Sequence, residues 1–183
     1  MALSDDFTTN KMGMQWGFHQ GTDADSARIR YENKSLVMQG KGSSPKDCAP
    51  LAFIAGDQAY QVEVEAEISG DARAGLIVFY NEKLYAGVGF DRNGFVTHRY
   101  GMDRMQKAVL PRKLYLRLVN DHNIVTIYTS TDRAQWTQYS PVIEVSGYHH
   151  NVADGFISLR PAIYAAGQGE VRFRDFRYQA LSK

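Results

Sequence analysis

The side chains best suited to chemistry sit in four places: the Glu63, Glu65, Glu67 row in "YQVEVEAEIS", the pair His149-His150, Asp5-Asp6 with Asp175, and the tyrosines and glycines of "AGLIVFYNEKLYAGVGF". Paired carboxylates can act as acid and base on a glycosidic bond, but only when opposed across a groove about 5 to 10 Å wide. Glutamates at every second position point the same way, so this row reads as a solvated strand face. Adjacent histidines on extended chain project to opposite sides and do not readily share one metal, which makes His149 and His150 loop residues. If the chain termini pair, Asp5, Asp6 and Asp175 come together and could hold a hard cation such as calcium. Charged residues on edge strands are the plainer reading, so no metal or other cofactor is assigned. "GVGFDRNG" leads into a strand and not a helix N-terminus, which removes the phosphate-loop reading, and neither G-x-S-x-G nor H-E-x-x-H occurs.

The tyrosine and glycine stretch, residues 74 to 90, carries the most information. Alternation places Leu76, Val78 and Tyr80 on one face, and Tyr85, Gly87 and Gly89 on one face; "GFVTHRY" adds His98 and Tyr100 together, with Arg99 opposite. A glycine inside a strand weakens it unless something must approach the backbone closely. A tyrosine offers a flat apolar face with a polar tip, which matches the C–H face and hydroxyl edge of a sugar ring. The expectation is therefore a saccharide stacked on Tyr80, Tyr85 or Tyr100, with Asn81, His98 and Arg160 as hydrogen-bonding groups. Ordinary cross-strand packing of the same aromatics is the competing reading.

The elements that must position these residues are strands. A chain of 183 residues with 44% hydrophobic content can bury one core, and one domain over residues 1–183 is the default. With 21 basic and 20 acidic side chains the net charge is +1, which gives no field to draw a polyanion or an anionic membrane, so neither nucleic acid nor membrane is implied as a partner. The lone Cys48 cannot close an internal disulfide, so stability must come from packing. "MALSDDFTTNKMG" lacks the basic flank and apolar run of a signal peptide, no run approaches about 18 apolar residues, and the compartment stays open. Period-2 alternation recurs in "YQVEVEAEIS" and in the hairpin "KLYLRLVND"/"NIVTIYTS". A polar turn at Thr131-Asp132-Arg133 leads to Trp136, read as an aromatic cross-strand partner. Further strands are expected at Ser35 to Gln39, Ala52 to Ala55, Phe95 to Tyr100, Gly155 to Leu159 and Val171 to Tyr178. Helix is limited to a turn or two, near Asp25-Ser26-Ala27 or Met102 to Ala108. Many short strands without intervening helices predict an all-β, two-sheet antiparallel β-sandwich.

The run "AYQVEVEAEISGDARAGLIVFYNEKLYAGVGF", with the upstream "SDDFTTNKMGMQWGFHQGTDADSARIRYENKSLVMQGKGSSPKDCAPL", resembles the concanavalin A-like sandwich at the C-terminus of glycoside hydrolase family 43 enzymes, β-xylosidases and α-arabinofuranosidases among them. The closing "GFISLRPAIYAAGQGEVRFRDFRY", with Phe173, Phe176 and Tyr178, and the "STDRAQWTQY" hairpin are similar to other parts of that module. The resemblance implies a jelly-roll sandwich. It also implies that the catalytic carboxylates belong to a separate five-bladed propeller, of which this sequence carries nothing, since only Met1-Ala2-Leu3 precede Ser4-Asp5-Asp6-Phe7. A non-catalytic module with no catalytic residues of its own is expected, directed at xylan or arabinoxylan. Its partners would be a xylan-type oligo- or polysaccharide and a family 43 catalytic propeller. In the second role "SGYHHNVADG" is the propeller-facing loop, with Tyr148 and His149 reaching toward the partner's active site. Two alternatives stand beside it: a structural domain that completes a propeller's active site without sugar affinity, and a small stand-alone hydrolase or lyase.

Overall fold

The computed structural model describes residues 2–148 and 159–181. The chain runs through β1 (Gly17–Phe18), a single helical turn α1 (Asp23–Ser26), β2 (Ile29–Glu32), β3 (Ser35–Gln39), β4 (Leu51–Ala52), β5 (Ala59–Ile68), β6 (Asp71–Asn81) and β7 (Leu84–Asp91). It continues through β8 (Gly94–Arg99), β9 (Met102–Lys107), β10 (Lys113–Asp121), β11 (Ile124–Ser130), β12 (Thr137–Glu144), β13 (Arg160–Gln168) and β14 (Glu170–Ala180). Sheet I has the order β1-β4-β13-β6-β7-β8-β9 and sheet II the order β12-β11-β10-β5-β14-β3-β2. Every pairing between these strands is antiparallel, as the absence of crossover helices requires.

The alternation seen in the sequence sets the layers. On β5, Val62, Val64 and Ala66 are buried, and on β10 Leu114, Leu116 and Leu118 join them. Register pairs Leu116 with Val64 and Leu118 with Val62, so both rows face the same side. They meet Leu76, Val78 and Tyr80 of β6 and Phe90 of β7 across the sandwich, which is the aligned two-sheet core that removes apolar area from water. The ends of the chain are tied together, because Asp5 and Phe176 exchange backbone hydrogen bonds of 2.9 and 2.8 Å.

The β6–β7 hairpin turns at Glu82-Lys83, with Asn81 Oδ1 accepting the backbone N–H groups of Lys83 and Leu84 at 2.9 and 3.0 Å. The β10–β11 hairpin and the helical turn at Asp23–Ser26 also stand where the sequence places them. Two expectations shift. The stretch from Met102 is a strand and not a helical turn: Tyr100 and Gly101, at φ 50 and 66, reverse the chain, and β9 pairs with β8 from Arg99↔Met102 to Gly94↔Lys107. All six β9 residues are exposed, so this edge strand has no apolar alternation to betray it. The strand expected over Ala52 to Ala55 ends at Ala52, since the chain leaves sheet I there and reaches sheet II at Ala59. The expected strand from Gly155 lies outside the described residues except for Leu159.

Candidate functional site

The outer face of sheet I is as dry at its centre as the core. Ala52, Ile77, Phe79, Tyr85, Ala162, Tyr164 and Ala166 form a second apolar cluster there, with Cys48 of the loop between β3 and β4 packed against it. Tyr164 is its centre. Gly75 stands opposite Tyr164 on β13 and opposite Gly89 on β7, and this row of glycines leaves a slot in the sheet. A Cβ added at Gly75 would lie 2.0 Å from Tyr164 Cε2, and one at Gly89 would lie 2.0 Å from Tyr164 Oη. The close approach that the glycines imply is therefore made by the protein's own tyrosine ring.

The hydroxyl of Tyr164 lies 2.6 Å from His98 Nε2, and His98 Nδ1 lies 2.7 Å from Asp103 Oδ1. Tyr85 Oη donates to the same carboxylate oxygen at 2.8 Å. A neutral His98 with its proton on Nδ1 satisfies every member: Tyr164 donates to Nε2 and Nδ1–H donates to Asp103. Burial pushes the His98 imidazole below its usual value, against the pull of the Asp103 carboxylate, and drives the Tyr164 phenol well above its own. Burial acts to raise Asp103, but hydrogen bonds from His98 and Tyr85 outweigh it and hold the carboxyl below the usual range.

The cover over this face is pinned by Arg28. Its guanidinium donates to Gln39 O, Cys48 O, Ala165 O and Asp25 Oδ1 at 2.9 to 3.0 Å, which ties the loop carrying Cys48 to β13. Asp25, fully buried, also accepts from Lys41 Nζ at 3.1 Å and from Thr22 N at 3.0 Å. Burial raises the Cys48 thiol far above its ordinary value, which makes it an unreactive packing group.

The residues expected to hold a sugar do not share a surface. Tyr80 points into the core between the sheets, and Asn81 spends its side-chain oxygen on the turn. Tyr85 and His98, both 0% exposed, lie under the cover of sheet I, so neither ring presents a face for stacking. Tyr100 is 45% exposed, and Arg160 reaches His19 Nδ1 with Nη2 at 3.4 Å while its buried Nε has no hydrogen-bond partner among the described residues. Tyr148 does not reach outward: it is 4% exposed, its ring centroid lies 4.7 Å from that of Tyr100, and its hydroxyl accepts the Tyr100 N–H at 2.6 Å. His149 lies outside the described residues. Asp5, Asp6 and Asp175 accept hydrogen bonds from Trp16, Thr8 and Arg133 in turn, and among the described residues no group of three or more His, Cys, Asp or Glu side chains could hold a metal.

The outer face of sheet II is organised differently. Glu63, expected to be solvated, is 6% exposed and receives Arg117 Nε at 2.8 Å and Arg133 Nε at 3.2 Å. Arg174 bonds both Glu65 and Glu67. Aromatic rings lie under the arginines, with Arg117 4.0 Å from the centroid of Trp136 and Arg133 5.5 Å from that of Tyr115. Trp136 thus serves as a platform for Arg117. Sequence reasoning missed Tyr164, Asp103 and Tyr115; the glycines at 75 and 89 marked the slot without saying what fills it.

Comparison with known proteins places this architecture. A family model described as the beta xylosidase C-terminal concanavalin A-like domain matches residues 4–179. No curated protein matches the chain by sequence. The GH43 BlXynB protein of Bacillus licheniformis superimposes with a TM-score of 0.84 at 17% identity, over 97% of this chain and 39% of that one. The xylan beta-1,4-xylosidase of Bacillus halodurans C-125 gives 0.79 at 18% identity, over 96% of this chain and 38% of that one. A functionally unknown protein of Saccharomyces cerevisiae gives 0.64 at 13% identity, over 92% of this chain and 98% of that one. At these identities the structural matches establish the fold, and the chain spans about two fifths of the length of the bacterial enzymes.

Proposed function

The chain belongs to the beta xylosidase C-terminal concanavalin A-like domain family, and from that premise we propose that it is the non-catalytic companion of a family 43 catalytic propeller. The observation that carries this reading is the span of the match: residues 4–179 are accounted for by a C-terminal domain, and the greater part of the bacterial enzymes has no counterpart in these residues. Xylan-type hemicellulose is the proposed substrate of the assembled enzyme, after the relative described as a xylan beta-1,4-xylosidase.

The end of the sandwich where β6 meets β7 supplies the docking face in this proposal. Ile54, Tyr100 and Ile124 are 68%, 45% and 39% exposed there, and the buried Tyr148 accepts the Tyr100 N–H. Tyr100 with Ile54 offers apolar area that a partner would cover. The test is to mix the chain with a family 43 propeller from the same organism and follow sedimentation and aryl-xyloside hydrolysis. A complex with raised kcat/KM is expected, lost on combining Ile54→Asp with Tyr100→Asp. A propeller that sediments alone and gains no activity overturns the reading.

A further inference from the structure

Among the described residues the sandwich has four edge strands, β1 and β9 in sheet I and β2 and β12 in sheet II. An edge presents unpaired N–H and C=O groups to any other strand, and folded chains blunt it by shortness, proline or a bulge. β1 has two residues and β2 four. β12 carries Pro141 and a register break against β11 between Val125 and Ile127. β9 has none of these three protections: its six residues pair with β8 in unbroken register, from Arg99↔Met102 to Gly94↔Lys107.

Backbone groups along β9 alternate between facing β8 and facing outward. Ala108 N–H bonds Asn93 O at 3.3 Å just past the Gly94↔Lys107 pair, so Lys107 is an outward residue, and Met105 and Asp103 are the others. Asp103 agrees with this: it is exposed as a residue while only 24% of its side chain is, which puts the exposure in its main chain. The side chains of these three share the outer face of sheet I, where Asp103 bonds Tyr85 and His98 and where Arg73 Nη2 donates to Met105 Sδ at 3.5 Å. Arg73 is itself neutralised by Asp91 at 3.1 Å.

A second β9, run antiparallel about a two-fold axis at Met105, sets Asp103 against Lys107 of the second copy, Arg104 against Gln106, and Met105 against Met105. Opposite charges then meet directly, the thioethers meet on the axis, and the outward backbone groups of the two strands pair. The same register lays the fully exposed Val109 beside Gly101 of the other copy's turn. Other registers are poorer. A slip by an odd number of residues sets outward groups against inward ones; an even slip one way opposes Arg104 to Arg104, and the other way leaves Asp103 opposite Val109. We infer that β9 is a self-association edge, through which a second copy of this chain extends sheet I by strand addition. One pair of short strands buries less than the roughly 1,200 Å² of a standard interface, so the dimer is weak, with a Kd on the order of 100 μM.

The test is sedimentation equilibrium of the whole chain from about 10 μM to about 1 mM, where a monomer–dimer equilibrium is expected. Met105→Pro removes an outward N–H and leaves the bonds to β8, so it should abolish the dimer at an unchanged melting temperature. Lys107→Glu sets like charges against each other without touching the backbone and should weaken the dimer about tenfold; it is the deciding variant if the proline disturbs β9. Cross-linking reads the register. Met105→Cys should give an intermolecular disulfide in oxidised glutathione, because opposed hydrogen-bonded residues lie about 5.5 Å apart at Cα. Arg104→Cys should not, since it faces Gln106 and its own copy lies diagonally, beyond the ~7 Å that a disulfide spans. Cys48 is buried and does not compete. A monomer at every concentration, a dimer indifferent to Met105→Pro and Lys107→Glu, or equal cross-linking at positions 104 and 105 overturns the inference. No propeller enters these measurements, so a chain that stays monomeric and still binds one defeats the self-pairing alone.

Discussion

Both outer faces of the sandwich carry aromatic and ionisable side chains, yet sheet I hides them and sheet II displays them. On sheet I, Tyr164, His98, Asp103 and Tyr85 form a chain of hydrogen bonds under a loop pinned by Arg28, and every ring in it is dry. On sheet II, Arg117, Arg133 and Arg174 lie over Trp136, Tyr115 and the glutamate row, with 24%, 14% and 32% of their side chains exposed in turn. The difference teaches that alternation says which side chains share a face and not what covers that face. A buried polar chain is costly to leave half-paired, whereas a surface ion lattice loses little when one member goes.

The largest effect should come from Tyr164. Tyr164→Ala empties the slot over Gly75 and Gly89 and should cost about 3 to 5 kcal/mol, read from urea denaturation. Tyr115→Ala, the matching deletion on sheet II, should stay below about 1 kcal/mol, as a partly exposed ring does. Equal losses would erase the contrast between the faces.

A smaller effect follows from His98. Its imidazole is held neutral in the folded chain, below the ordinary value of 6.5, so the unfolded chain binds the extra proton as pH falls. Stability should therefore be full above pH 6.5 and fall below it, by at most about 1.4 kcal/mol per pH unit from this one group. His98→Gln should flatten the fall between pH 7 and 5, measured by thermal unfolding across buffers; an unchanged slope would assign it elsewhere. The smallest effect belongs to the lattice. Arg174, with 32% of its side chain exposed, should cost about 1 kcal/mol or less as Arg174→Ala, and the loss should shrink in 1 M salt.

Much of this fold was legible in the residues. The runs from Gln61 to Ile68 and from Leu114 to Leu118 alternate so regularly that strand and facing follow, with the hairpin partner as well for the second, and the sandwich matched the family the sequence resembles. β9 was not legible because neither of its faces is buried, so its place depends on pairing with β8 alone. The candidate site was half legible. Gly75 and Gly89 announced a close approach to the backbone, and Tyr85 and His98 were grouped with that feature. What approaches is Tyr164, 89 residues along the chain from Gly75, and no local pattern encodes a contact of that range. The glutamate row was read as solvated because its arginine partners come from β10, β14 and the turn after β11, which only the sheet order brings beside it.

The claim that the glycine slot exists to seat Tyr164 is tested most directly by a double-mutant cycle. A Cβ at Gly75 meets only Tyr164 ring atoms within its closest contacts, so Gly75→Ala probes that one neighbour. Alone it should destabilise by about 1 to 3 kcal/mol through overpacking. In the Tyr164→Ala background the same change should cost nothing or restore stability, a coupling within the range of directly touching residues. Strictly additive losses in the four unfolding curves would contradict the claim and reopen the slot as a place for something other than the protein's own ring.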